Sequence, residues 1–339
     1  MRRLGNSGIL VSEICLGTMT FGWQADEAAS HGILDRYVEQ GGNFLDTANV
    51  YSEGKSEAII GSWLKGRERS EVVLATKARF RTGKGVNDVG LSRKSLWHAV
   101  RESLKRLGTD YIDLLQVHAW DPLTPLDETF GTLHEMVTQG LVRYVGISNY
   151  RGWQFEKAFQ LCRHRGWSEP VSLQSQYSLY ARATEYELLP MCVAENIAML
   201  PWSPLAGGFL SGKYRDGVRS PPAGTRIAES DHKEFYIQRL ENDRASRITS
   251  ALGTVARESG KTTSQVALNW VLCQAAVTSP IIGVRSLEQL TDDLGASGWS
   301  LSAEHLQALD RASALDVTYP YDVHAENQQT GDRRLGADG

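Results

Sequence analysis

The chain has 339 residues, of which 41% are hydrophobic and 22% charged, with a formal net charge of −4. That length can bury a sizeable core, and an α/β barrel takes about 250 residues plus insertions. The mildly acidic balance supplies no electrostatic footprint for nucleic acid or an anionic membrane, and no stretch approaches the roughly 18 apolar residues that span a bilayer.

From the start of the chain, MRRLGNSGILVSEICLG breaks every apolar stretch early and does not read as a secretory signal. A cytoplasmic location is therefore expected. The four cysteines, Cys15, Cys162, Cys192 and Cys273, form no CxxC and no Cys/His spacing suited to zinc. They predict reduced, mostly buried thiols and no metal site.

Strand-like apolar runs then alternate with helix-periodic stretches. The runs are Ile14–Gly17, Asn43–Asp46, Val72–Lys77, Ile112–His118, Val142–Ser148, Val171–Ser175, Ile197–Pro201 and Pro280–Val284. Unbroken apolar runs suit parallel strands covered on both faces. Between them the spacing predicts helices at Asp26–Gln40, Ser92–Leu107, Pro125–Thr138, Gly152–Arg165 and Thr263–Leu272. Asp26 and Ser92 read as N-caps, Pro125 as a first-turn residue, and Gly108 and Gly140 as stops.

Eight strands, each followed by a helix, predict a closed (β/α)8 barrel over residues 1–315, taken as one domain. A long loop, Ser203–Ile237, follows the seventh strand. The remaining segment, 316–339, ends in a polar, Gly-rich stretch that predicts disorder.

Barrel enzymes work at the carboxyl ends of their strands. There the second strand ends at Asp46 with Tyr51 in its loop, the third at Lys77 and the fourth at His118. Taken singly, Asp46 reads as a turn cap, Lys77 as a snorkelling strand end, His118 as a core histidine and Tyr51 as packing. A charged residue closing an apolar strand needs a partner, or burial costs several kcal/mol. The economical solution is that these residues partner one another. Chemically the set suits protonation of an alkoxide. A tyrosine of ordinary pKa, about 10, becomes a usable acid beside a lysine ammonium that an aspartate holds in place. A neutral His118 could orient a carbonyl oxygen. Side chains supply no hydride, so the set implies a nicotinamide.

In these residues the sequence resembles the aldo-keto reductases, from about Leu4 to Ala314. The resemblance rests on LGTMTFG (16–22), DTANVYSEGKSE (46–57), ATK (75–77), LLQVHAWD (114–121), VGISN (145–149), PWSPLAGGFLSGKY (201–214) and PIIGVRSLEQLTDD (280–293), in that order. It implies a (β/α)8 barrel behind an N-terminal hairpin, here Arg2–Leu4 and Ile9–Val11 around the Asn6–Gly8 turn. It implies that Asp46, Tyr51, Lys77 and His118 are the catalytic four. Gly17, Thr18, Met19 and Asp46 would lie beside the nicotinamide ribose. Ser148, Asn149 and Gln174 would hold the carboxamide, and Trp202 would stack on the ring. Ser203, Leu205, Gly207, Ser211 and Lys213 would wrap the pyrophosphate. Gly283, Arg285, Gln289, Asp292 and Asp293 would receive the adenosine end.

Arg285 with Ser286, just before a helix start, suits a 2′-phosphate and favours NADPH over NADH. Where the family ends this stretch Glu-Asn or similar, the chain reads Asp292-Asp293, and an ionised Asp293 cannot donate to a ring nitrogen. Phe21, Trp23, Tyr51, His118 and Trp120 are expected around a small carbonyl or alcohol substrate.

Three other readings are weighed. GGFLSGK (207–213) has P-loop spacing, but Tyr214 stands where Mg²⁺ would need Ser or Thr. A strand-ending lysine also serves Schiff-base aldolases, although Asp46 beside Lys77 argues for a charged, supporting role. The alternative from another class is a nicotinamide-binding regulatory or scaffold subunit, like the potassium-channel beta subunits. The sequence does not give the oligomeric state.

Overall fold

Eight short parallel strands close on themselves in the order β10-β3-β4-β5-β6-β7-β8-β9. They are β3 (Cys15–Gly17), β4 (Phe44–Asp46), β5 (Val73–Ala78), β6 (Ile112–Val117), β7 (Val142–Ser148), β8 (Pro170–Gln176), β9 (Ala198–Trp202) and β10 (Ile281–Gly283). Every residue of β3, β4, β5 and β6 is buried, as expected of strands with a packed interior on one face and helices on the other. The expected barrel is thus present. The structure is a computed structural model that describes residues 1–214, 218–219, 221–223, 225, 227–228 and 233–322, without the side chains at 233, 235, 236 and 239. The predicted disordered end, 323–339, and part of the predicted loop at 203–237 lie outside the described residues.

An N-terminal hairpin of β1 (Arg2–Arg3) and β2 (Leu10–Val11) precedes the barrel. Its Leu4 and Val11 are fully buried and pack with Phe44, Leu114, Ala198 and Leu200. The hairpin therefore closes the amino-terminal end of the barrel. Gly5 makes this approach possible: its φ is +57°, and a Cβ there would lie 2.3 Å from the Val171 carbonyl oxygen.

The helices are α1 (Glu27–Glu39), α2 (Lys55–Leu64), α3 (Arg93–Leu107), α4 (Leu126–Thr138), α5 (Gly152–Arg165), α6 (Leu188–Ala194), α7 (Lys233–Leu240), α8 (Asp243–Ser259), α9 (Thr263–Leu272), α10 (Leu287–Leu294) and α11 (Ala303–Ser313). β7, α5 and α9 run over the residues that patterning predicts. Asp26 caps α1 through the Ala29 N–H, Ser92 caps α3 through Ser95, and α3 stops at the left-handed Gly108.

Other boundaries move by a residue or two for local reasons. Asn43 stays outside β4 because its amide ties the Ser12 N–H (2.8 Å) and the Leu10 carbonyl (3.0 Å) of the hairpin. Trp202 joins β9 because it pairs in register with Ile281. The stretch expected as one long loop also holds a 3₁₀ turn, Ala206–Ser211, and the start of α7. Among the described residues no helix is long and apolar enough to cross a membrane. Three cysteines are buried and Cys273 is exposed; all four are free.

Candidate active site

The carboxyl ends of β4, β5 and β6 point to the same end of the barrel. There a lysine is among the largest fully buried side chains of the molecule. Lys77 sits on β5 in register with Gln116 of β6. Its ammonium donates to Asp46 Oδ2 (2.5 Å), to the Thr47 carbonyl (2.8 Å) and to the Tyr51 hydroxyl (3.1 Å). Three protons therefore meet three acceptors, the full donor capacity of an ammonium. Burial alone would strip the charge from Lys77, but Asp46 and the tyrosine oxygen outweigh it and hold the pKa above its ordinary value.

Asp46 is satisfied from its other side. Its Oδ1 accepts from Gln116 Nε2 (3.0 Å) and Gln174 Nε2 (2.8 Å). Gln116 was missed in the sequence reading, although one amide inside the apolar run IDLLQV signals a buried partner. Gly146 on β7 leaves room for this layer, since a Cβ there would meet Ser172 Oγ at 2.5 Å and Gln116 Cγ at 2.9 Å.

The turn after β4 sets Tyr51 in place. Its backbone continues alongside β5, with Thr47 N–H to the Ala75 carbonyl (2.9 Å) and Asn49 N–H to the Lys77 carbonyl (3.1 Å). Beyond Tyr51, the residues Ser52, Glu53 and Gly54 all have positive φ, so the chain reverses sharply into α2. Two non-glycine residues in that region store strain that the surrounding packing must hold.

His118 follows β6 and lies edge-on between Tyr51 (ring centroids 5.9 Å) and Phe80 (4.6 Å). Burial, then the charges of Lys77 and Arg79, push its pKa down to about 2. The imidazole is therefore neutral at physiological pH, and its Nδ1 is buried without a hydrogen-bond partner among the described residues.

Asp46, Tyr51 and His118 open on a cavity of about 770 Å³ that runs from these residues to the start of α10. Of the residues expected to hold a cofactor, Gly17, Thr18, Met19, Asn149, Gln174, Trp202, Ser203, Leu205, Gly207, Ser211 and Lys213 line it. So do Gly283, Arg285, Gln289, Asp292 and Asp293 at the far end. Ser148 does not. It is fully buried, and its hydroxyl accepts from Asn149 Nδ2 (3.0 Å).

Asn149, with φ 54°, spends its second amide proton on the His118 carbonyl (2.9 Å) and takes the Trp202 indole N–H on Oδ1 (3.0 Å). These contacts tie Ser148 and Asn149 into the wall of the cavity. The GGFLSGK segment builds a 3₁₀ turn with left-handed Gly207 and Gly208, in which the Gly207 N–H meets Ser203 Oγ (3.0 Å). At α10, Ser286 is the N-cap, accepting from the Gln289 N–H (3.3 Å), while Gln289 Oε1 accepts from the Arg285 N–H (3.1 Å).

The residues expected around a substrate fall in different places, with Tyr51 and His118 on the main cavity. Phe21 is fully buried and packs in the core with residues such as Ile33, Leu34 and Ile59, so its ring has no surface for a substrate. Its alternation with the exposed Trp23 carried no sign of which side faced in. Trp23 is 58% exposed and shares with Met19, Tyr51 and Lys55 a shallower recess beside the main cavity. Trp120 packs on Tyr150 (5.1 Å) and Trp153 (5.6 Å) outside the main cavity. Missed wall residues include Gln24, Gln176 and Tyr180. Gln176 was findable, since it lies two residues beyond Gln174 on one strand and so on the same face.

The sequence matches the model of the Aldo/keto reductase family over residues 13–314. It is 39% identical to uncharacterized oxidoreductase YrpG of Bacillus subtilis (strain 168), over 91% of this chain and 94% of that protein. It is 33% identical to aryl-alcohol dehydrogenase [NADP(+)] of Phanerodontia chrysosporium (93% and 86%). A probable voltage-gated potassium channel subunit beta of Oryza sativa subsp. japonica is 34% identical (87% and 90%).

Proposed function

The chain belongs to the aldo/keto reductase family, and we propose that it is an NADPH-dependent reductase of aldehyde and ketone carbonyls, working reversibly, with Tyr51 as the proton donor. The observation that carries this reading is the contact of the Tyr51 hydroxyl with a fully buried, fully bonded ammonium at one end of a long cavity. A charged Lys77 stabilises negative charge on the tyrosine oxygen as its proton leaves. Asp46, with Gln116 and Gln174, holds that ammonium in place. Neutral His118 can hydrogen-bond a carbonyl oxygen and turn it toward Tyr51 without competing for the proton.

A bound nicotinamide dinucleotide supplies the hydride to the carbonyl carbon. The chain fits such a group. Left-handed Gly207 and Gly208 and the side chain of Lys213 form one wall, while Arg285 and the start of α10 offer a cation and backbone N–H groups. The name of the aryl-alcohol dehydrogenase relative, with its NADP(+), supports the same cofactor.

Tyr51→Phe keeps the ring and removes the donor. It should lower NADPH consumption with a reactive aromatic aldehyde by roughly 100- to 10,000-fold, while dinucleotide binding, read by fluorescence quenching, stays near wild type. Turnover close to wild type would sink the assignment. The potassium-channel beta relative supports a second reading, a redox-sensing subunit. Tight dinucleotide binding with negligible turnover across a panel of carbonyls would favour it.

A further inference from the structure

At the far end of the cavity stands a buried acid that the described residues leave without a hydrogen-bond partner. Asp293, in the last turn of α10, is 6% exposed and lines the cavity wall. Among the described residues, no donor or cation makes a hydrogen bond or ion pair with its carboxyl group. Its neighbour Asp292 differs. That carboxylate accepts from Thr262 Oγ1 (2.8 Å), and the Asp292 carbonyl accepts from Gln265 Nε2 (3.0 Å).

Among the described residues, few charges act on Asp293. Asp292 lies beside it on the same helix, and Lys213, on the cavity wall, reaches it only through its field. Arg285, the residue before the cap of α10, and Glu288, in its first turn, line the same cavity. Of the helices packed on α10, α9 carries no ionisable side chain. In α1, Glu27, His31 and Asp35 turn to Ser62 and Trp63 of α2, Arg36 pairs with Glu39, and Tyr37 is bonded to Ser12 and the Ile14 carbonyl.

An ionised carboxylate with no protein donor is disfavoured on a wall that is largely shielded from water. Burial first, and then the Asp292 charge, push the Asp293 carboxyl up to about 7 against the pull of Lys213. Its two forms present different faces. The carboxylate only accepts, whereas the neutral acid sets an O–H donor beside a carbonyl acceptor, the pattern of a primary amide. The complement of that pattern is an acceptor next to a donor, as on the amino-pyrimidine edge of adenine.

We propose that Asp293 receives the adenine end of the dinucleotide as the neutral acid, so that cofactor binding takes up a proton. This rests on the function proposed above. It explains how an acid can stand at this position in a cavity that must also hold phosphates: the bound state carries no extra negative charge there. Affinity then depends on pH. With the neutral form as the binding form, Kd rises about tenfold per pH unit once pH exceeds the carboxyl's own pKa.

The test compares wild type with D293N, titrating NADP⁺ and NADH against tryptophan fluorescence from pH 6 to 9. NADH is included because it lacks a 2′-phosphate, whose own ionisation near pH ~6 would add a slope. Wild-type Kd should rise at least about tenfold from pH 7 to 9 for both ligands. For D293N the NADH curve should be flat, and at pH 9 the variant should bind more tightly than wild type. Calorimetry of the wild type in two buffers of different protonation enthalpy should show proton uptake near pH 7.

Without ligand, the sign of the linkage is also fixed. The acid is raised in the folded state, so its contribution to stability is present below pH ~4 and lost as pH rises through about 7. D293N should remove that loss in thermal unfolding. Equal pH slopes in the two proteins, or no proton uptake by wild type, would overturn the proposal. Failure of wild type to bind either dinucleotide at pH 6 would instead overturn the function on which it rests.

Discussion

The two ends of the cavity bury charge in opposite ways. At one end, Asp46 and Lys77 lie side by side with almost no exposure, yet five hydrogen bonds serve the pair. At the other, Asp293 is nearly as buried and has a like charge for a neighbour. Burial is the first influence on both Lys77 and Asp293, and it opposes charge in each. Partners decide the result: Lys77 stays charged, while Asp293 moves toward neutrality. A paired buried charge is fixed machinery, set before any ligand arrives. An unpaired one waits for a ligand or a proton.

The largest effect should come from breaking the paired end. Lys77→Met leaves Asp46 buried without its cation, which typically costs about 3–5 kcal/mol. Urea unfolding should show that loss, together with loss of the proposed carbonyl reduction. If Lys77→Met were as stable as wild type, the claim that pairing holds charge at this end would be wrong.

A smaller change removes one neutral donor. Gln116→Leu leaves Asp46 Oδ1 with Gln174 alone and should cost about 1.5–3 kcal/mol, the range for a hydrogen bond to a charged group. Turnover should fall with KM for the aldehyde less affected than kcat, because the floor and not the pocket has changed.

A further effect belongs to His118, beside Tyr51 at the paired end, and is confined to acid. His118 is kept neutral down to about pH 2, whereas an unfolded histidine protonates below pH ~6.5. Stability from this neutral histidine is therefore full above pH ~6.5 and lost as pH falls toward 2. His118→Asn should flatten the acid limb of a stability-versus-pH curve between pH 6 and ~4 and leave its shape above pH 7 unchanged. An acid limb identical to wild type would show that folding does not lower the proton affinity of His118.

Much of the site was legible because its residues close strands. Asp46, Lys77 and His118 each end an apolar run, and a period of two or an apolar block says where a strand stops without knowledge of its neighbours. β7, α5 and α9 were legible from their local apolar spacing, and the structure ends α5 at Gly166 and starts α9 with a Thr262–Gln265 capping box. Phe21 was not legible. It lies in a turn, where no periodicity ranks one side against the other, and its burial depends on Ile33 and Leu34 of α1 and Ile59 of α2. The surroundings of Ser148 were not legible either, since a serine at a strand end can face a cavity or, as here, accept from the amide of the next residue.

By itself, the amino-acid sequence determined the alternation of strands and helices, the closed barrel, and which chemistry-bearing residues stand on its rim. Those follow from local hydrophobic patterning and capping. Only the tertiary structure decided which of the buried groups carry charge. Asp46 is served by residues 31, 70 and 128 positions away, while Asp293 has no such partner among the described residues. Charge in a dry site depends on distances through space, and those exist only once the barrel has closed.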